Sequence, residues 1–137
     1  MRTNEKPATN IFFEGCAEGQ FLLQKCDAHG HLQYPPGPLC RQCQSPITQW
    51  VPATGEGTIE AFSLVQRAPM PAFNAYLPYM IAVVKLREGP LVETWLRIDG
   101  RTPMIAEVAV GQAVTFDFEP VNGQVVPVAL LHSRASA

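Results

Sequence analysis

Two short pairs of metal-binding residue types constrain this chain more than anything else in it. Cys26-x-x-His29 is followed, across a proline-rich loop, by Cys40-x-x-Cys43. Two ligands three residues apart on a tight turn project the same way, and two such turns face to face complete a tetrahedron of the kind zinc prefers. Residues 26–50 carry only two charged side chains and no helical period. Such a segment cannot build a core of its own and needs a staple. Three thiolates and one imidazole suit zinc, whose binding contributes folding free energy. Gly30 favours His29 as the second ligand, because a glycine just after it lets the turn reach φ > 0. His31 is the competing donor, and a metal-free ribbon held by packing is the alternative. A filled four-ligand site has no open position for water, so the zinc is expected to be structural.

Around this staple the chain divides into three zones. Residues 1–25 form an N-terminal helical segment. Its helix is expected over residues 11–18, capped by Thr9 or Asn10 and stopped by Gly19. A lone short helix is marginal in water, so it must pack on the chain's own core or on a second protein. Residues 26–50 form the ribbon. Residues 51–137 read as all-β, with strands over residues 57–66, 80–86, 91–98, 114–119 and 125–131. The 114–119 run alternates apolar with polar. Arg87-Glu88-Gly89-Pro90 and Asn122-Gly123 are hairpin signals. Five short strands with glycine-rich turns suggest a small closed barrel.

Composition excludes several classes of function. The 137 residues are 47% hydrophobic and 16% charged, which rules out wholesale disorder. Ten basic against 12 acidic side chains leave a net charge of -2, without the basic footprint of a nucleic-acid binder. From residue 51 onward, Arg67, Lys85, Arg87, Arg97, Arg101 and Arg134 are outnumbered by acidic side chains. The longest apolar run, residues 79–84, is far short of the roughly 20 residues of a membrane helix. The first ten residues are polar, so neither a targeting segment nor a membrane anchor is expected, and the setting is cytoplasmic. Cysteines there are thiols or metal ligands rather than disulfides. Cys16 is then a packed helix residue, not a nucleophile.

No catalytic constellation emerges. The three histidines are His29, His31 and His132, and no nucleophile elbow, phosphate loop or dinucleotide fingerprint is present. The loop over residues 67–79 is long, rich in proline and apolar groups, and charged only at Arg67. It reads either as a lid over one end of the barrel or as a partner-binding loop. If Val92, Thr94, Leu96 and Ile98 face inward, Trp95 faces out as a candidate anchor.

The order of these parts carries a resemblance. Ile11-Phe12-Phe13-Glu14-Gly15 precedes Leu22-Leu23-Gln24-Lys25-Cys26. Then come Gly30, Leu32-Gln33-Tyr34-Pro35-Pro36 and Cys40-x-x-Cys43. Gly55-Glu56-Gly57-Thr58-Ile59, Pro69-Met70-Pro71-Ala72-Phe73 and Leu77-Pro78-Tyr79 follow. From residue 11 to 131 the chain closely resembles the zinc-ribbon OB-fold proteins once filed as Domain of Unknown Function 35. The resemblance implies a mainly β fold: N-terminal helix, rubredoxin-like zinc ribbon, then a small OB-fold β-barrel. The family pattern has cysteine where this chain has His29.

The resemblance also implies a working context. It points to a non-catalytic accessory subunit that assembles with a thiolase-superfamily enzyme (thiolase, acyltransferase or aldolase) and helps bind or channel acyl-CoA. A two-fold enzyme dimer flanked by two copies of this chain would make a hetero-tetramer. Phe12, Phe13, Tyr34 and Phe73 are the candidate partner anchors, and Arg67 or Lys85 the candidate contact to a phosphate of acyl-CoA. Two other readings compete: a single-stranded nucleic-acid-binding OB-fold protein, which would need a positive groove, and a free-standing small enzyme such as an acyl-CoA thioesterase.

Overall fold

The computed structural model describes residues 7–132. Arg134 therefore lies outside the described residues. Helix α1 spans Ala8–Ala17 and starts earlier than the sequence suggested. Its N-cap is Pro7, whose carbonyl accepts the Asn10 and Ile11 N–H groups at 3.0 and 3.3 Å; no side chain caps it. Thr9 and Asn10 lie inside the helix, because Pro7 already supplies the turn with its fixed φ of −57°. The stop is at the expected place. Gly19 takes φ +80°, Gln20 N–H bonds Gly15 O at 2.8 Å, and Gly19 N–H bonds Cys16 O at 3.0 Å. That is a Schellman closure.

The helix buries Phe12, Gly15 and Cys16, one face at i, i+3 and i+4 spacing. Gly15 explains the odd Phe-Phe-Glu-Gly sequence. A Cβ there would stand 2.7 Å from Leu22 Cδ1, so only glycine lets the helix lie this close to the following strand.

A small antiparallel sheet has the order β2-β1-β3, with β1 at Leu22–Lys25, β2 at Leu32–Gln33 and β3 at Gln49–Pro52. The ribbon's own sheet thus extends beyond residues 26–50 at both ends. Five more strands follow: β4 (Glu56–Val65), β5 (Tyr79–Leu86), β6 (Leu91–Arg97), β7 (Ala113–Val121) and β8 (Gln124–Leu131). They run β4-β5-β6-β8-β7 and close into a barrel, with β6 and β8 parallel. The closing seam is short: Glu56, Gly57 and Thr58 of β4 pair with Thr115, Val114 and Ala113 of β7. At Gly57 a Cβ would meet Val84 Cγ1 at 2.5 Å and Lys85 O at 2.7 Å, so the close approach of β4 to β5, next to the seam, depends on glycine. The expected mainly β architecture of helix, ribbon and OB-type barrel is the one observed.

Two apolar clusters hold the molecule. One fills the barrel with Ile59, Met80, Val84, Leu96 and Val114 among others. The other joins Phe12, Cys16, Phe21 and Leu23 to Leu86 and Val92 of the barrel. The helix therefore packs on the chain's own core. Among the described residues no helix is long and apolar enough to cross a membrane.

Candidate metal centre and aromatic cleft

The sequence builds two matching knuckles. At the end of β1, Cys26 Sγ accepts the His29 N–H at 3.4 Å, Cys26 O accepts the Gly30 N–H at 2.9 Å, and Gly30 takes φ +74° as expected. In the second knuckle Cys40 O accepts the Gln44 N–H at 2.8 Å, and Gln44 takes φ +65°. A buried side chain sets the spacing of the loop between them. Gln24 Oε1 accepts the Gly37 N–H and the Gln33 amide at 2.8 Å each, and Gln24 Nε2 donates to Gly37 O at 2.8 Å. Sequence reasoning missed Gln24, because an inward polar residue in a short strand leaves no periodic signal.

The knuckles bring three of the four expected ligands, Cys26, His29 and Cys43, together with His31, while Cys40 stands outside that set. Cys26 Sγ and Cys43 Sγ are 3.4 Å apart, too far for a disulfide and close to the separation of two donors on one tetrahedral zinc. Cys40 Sγ lies 3.6 Å from His31 Nδ1. One ligand atom from each of Cys26, His29, His31 and Cys43 falls within 4.8 Å of all the others. His31 thus stands beside the predicted set, its ring stacked on His29 at 5.4 Å between centroids. Four donors converge with Cys40 at their edge beside His31, and thiols with imidazoles are the chemistry that zinc takes.

The electrostatics ready two of the thiols, Cys43 and Cys26, for metal binding and oppose it at Cys40 and His29. Hydrogen bonds from Ser45, with help from His29, bring the Cys43 thiol down to about 6. The His29 amide lowers Cys26 in the same way, while burial raises Cys40. His29 is raised, first by its hydrogen bond to Cys43. Thiols readied as thiolates bind metal at neutral pH with less proton competition. Cys16 behaves otherwise: it is 1% exposed, and burial pushes its thiol up to about 11, as suits a packed residue.

The four partner-anchor candidates also converge, but not as protruding side chains. Phe12, Phe13, Tyr34 and Phe73 line one cleft of about 320 Å³ between α1, the ribbon and the barrel. Phe12 is 2% exposed and forms part of the core beneath the cleft, which corrects its expected role as a surface anchor. Burial raises the Tyr34 phenol above its ordinary value.

Trp95 does alternate with the buried Val92, Thr94 and Leu96, yet it does not face open solvent. The loop over residues 67–79 folds back through a 3₁₀ turn at Pro71–Tyr76. Tyr79 stacks on Trp95 at 4.6 Å, and Tyr76 and Phe73 pack against it at 5.1 and 6.1 Å. The Asn122 N–H donates to Tyr76 Oη at 3.1 Å and ties this loop to the β7–β8 turn. The cleft therefore sits where OB barrels take ligands, between the loop after the first barrel strand, the third strand and the last hairpin. A second cavity of about 420 Å³ lies over the β4–β7 seam and is lined by Lys85, Arg87 and His132, among others. Arg67 does not reach it.

A closed Cys/His knuckle pair, a short ribbon sheet and a five-stranded barrel define a zinc-ribbon OB-fold protein. The chain belongs to the ChsH2 family: residues 13–48 match the ChsH2 rubredoxin-like zinc ribbon domain, and residues 50–119 match the ChsH2 C-terminal OB-fold domain. It is similar to the probable enoyl-CoA hydratase alpha subunit of Thermomonospora curvata, 32% identical over 117 residues, which are 82% of this chain and 35% of that protein. It is similar to a DUF35 domain-containing scaffold protein of Pyrococcus furiosus, 38% identical over 68 residues, 50% of this chain and 48% of that one. The chain thus spans about a third to a half of these relatives' length. Among solved structures it is similar to the Ltp2-ChsH2(DUF35) aldolase, with TM-score 0.76, 27% identity and coverage of 95% and 98% of the two chains. A DUF35-family protein from Sulfolobus solfataricus shares the fold at TM-score 0.63 and 15% identity, over 94% and 88% of the chains.

Proposed function

We propose that this chain is a non-catalytic accessory subunit that assembles with a thiolase-superfamily enzyme and helps bind or channel acyl-CoA. The observation that carries this reading is the likeness along nearly the whole chain to the Ltp2-ChsH2(DUF35) aldolase. The Pyrococcus relative, named as a scaffold protein, points the same way. Four ligands closing on one metal leave it no open position, which fits a structural zinc. The acyl-transfer or carbon–carbon bond chemistry then belongs to the larger subunit. Two copies of this chain on a two-fold enzyme dimer would give a cytoplasmic hetero-tetramer. The seam cavity, with Lys85 and Arg87 on its wall, is the better place for a phosphate of acyl-CoA than Arg67.

The test is recovery of the native complex. A pull-down from the source organism, nuclease-treated, should retain a thiolase-superfamily enzyme in stoichiometric amount. That enzyme expressed alone should be unstable or inactive and should regain activity when this chain is added. Full activity of the enzyme alone sinks the proposal. So does turnover of an enoyl-CoA or a thioester by the purified chain alone, the outcome that the name of the Thermomonospora relative makes worth assaying.

A further inference from the structure

The cleft between the helix and the barrel has a composition that a general apolar groove would not have. Its walls are rings from two separate clusters. Phe13 and Tyr34 form one side, both packed on the buried Phe12 at 5.3 and 5.4 Å, and Phe73 packs on Trp95 at 6.1 Å on the other. Rings held against one another are ordered in advance and lose little freedom when a ligand enters. Among the described residues lining the cleft, Glu93 is the only charged one, and no cationic side chain is present. Neither the Glu93 carboxylate, the Tyr34 hydroxyl nor the Trp95 indole N–H has a hydrogen-bond partner among the described residues. A phosphate or carboxylate would find no countercharge here and would meet Glu93. A guanidinium or ammonium would find aromatic faces together with a carboxylate acceptor, the combination that holds organic cations. Guanidinium suits it best, because it stacks flat on rings and is more weakly hydrated than ammonium.

We propose that the cleft is an aromatic cage for an organic cation, occupied in the assembled protein by an arginine side chain of the partner subunit that seats between the two ring clusters with its guanidinium on Glu93. The occupant rests on the accessory-subunit reading above; the cation site itself does not. Arginine is among the side chains enriched at interface hot spots, and a half-enclosed pocket of this kind is where such anchors bind.

The test uses the isolated chain labelled with 5-fluorotryptophan, in which Trp50 serves as internal control and Trp95→Phe assigns the second fluorine signal. Butylguanidinium should shift the Trp95 signal saturably and leave Trp50 unchanged, while butylurea and butyrate should have little effect. Glu93→Gln, an exposed position, should keep its zinc and fold and weaken guanidinium binding about tenfold. Equal binding of butylurea, or an unchanged affinity in Glu93→Gln, overturns the cage. In the purified native complex the probe should no longer reach Trp95. An unchanged response there overturns the arginine assignment and leaves the accessory role standing. Failure to recover any partner counts against the accessory role alone, because the titration of the isolated chain decides the cation site.

Discussion

The ribbon and the barrel are held by different physics. Between residues 26 and 48 only Cys26 and Cys40 are buried, so the ribbon has almost no apolar interior. Its order comes from two knuckles, the hydrogen bonds of Gln24, and a Cys/His cluster that fits zinc. The barrel reverses every term. Ile59, Met80, Val84 and Leu96 are at most 1% exposed, and the strands pair along a nearly continuous ladder. The two halves should therefore respond separately to metal and to packing, coupled through the cluster that joins Phe12, Phe21 and Leu23 to Leu86, Val92 and Phe116.

The largest effect should come from the metal. Chelation, or Cys40→Ala, should unfold the ribbon while leaving the barrel folded, since structural zinc sites are worth on the order of 10 kcal/mol in isolated ribbon-like peptides. Hydrogen exchange read segment by segment checks this. Protection should vanish over β1 and β2 and persist over β5 and β6. Loss of both together would mean that the two halves are one cooperative unit. The barrel has its own weak point where β4 lies close against β5. Gly57→Ala should cost about 1–3 kcal/mol by overpacking against Val84 and Lys85, read as a lower urea midpoint with bound zinc unchanged. Zinc loss in that variant would break the separation from the other side.

The smallest effect should be electrostatic and confined to the barrel. Two bonds from Arg101 and one from the Met104 N–H hold the Glu107 carboxyl at about 2, against an ordinary value of 4.5. A depressed carboxyl adds stability above its unfolded value and loses it as pH falls through the folded one. The melting-temperature gap between the native chain and Glu107→Gln should therefore be full above about 5 and close between about 4.5 and 2. A gap independent of pH would mean that Glu107 acts through packing instead.

Much of this was legible in the residues. The ligand spacing placed both knuckles, with Gly30 marking where the first must reach positive φ. Alternation over residues 114–119, β-rich runs elsewhere and the hairpin signals place the barrel strands to within two residues at every end. Where local chemistry had two solutions, the residues alone left the choice open or pointed to the wrong one. Thr9 and Asn10 are good caps, but Pro7 had already started the helix. His31 and His29 are equally good donors, and only the folded knuckle brings both to one point. Phe12 reads as an anchor because a short amphipathic helix says nothing about what covers it. Trp95 was placed on the outer face correctly, but the loop that packs over it returns from an earlier stretch of chain.

Local properties of the chain decided what the elements are: which residues ligate, which alternate, and where glycine must turn or permit close approach. These follow from interactions between near neighbours. Tertiary structure alone decided the cleft, because its walls come from α1, the ribbon, the 3₁₀ loop and three barrel strands. No pattern within one segment encodes that convergence; it arises when apolar faces distant in sequence bury against one another.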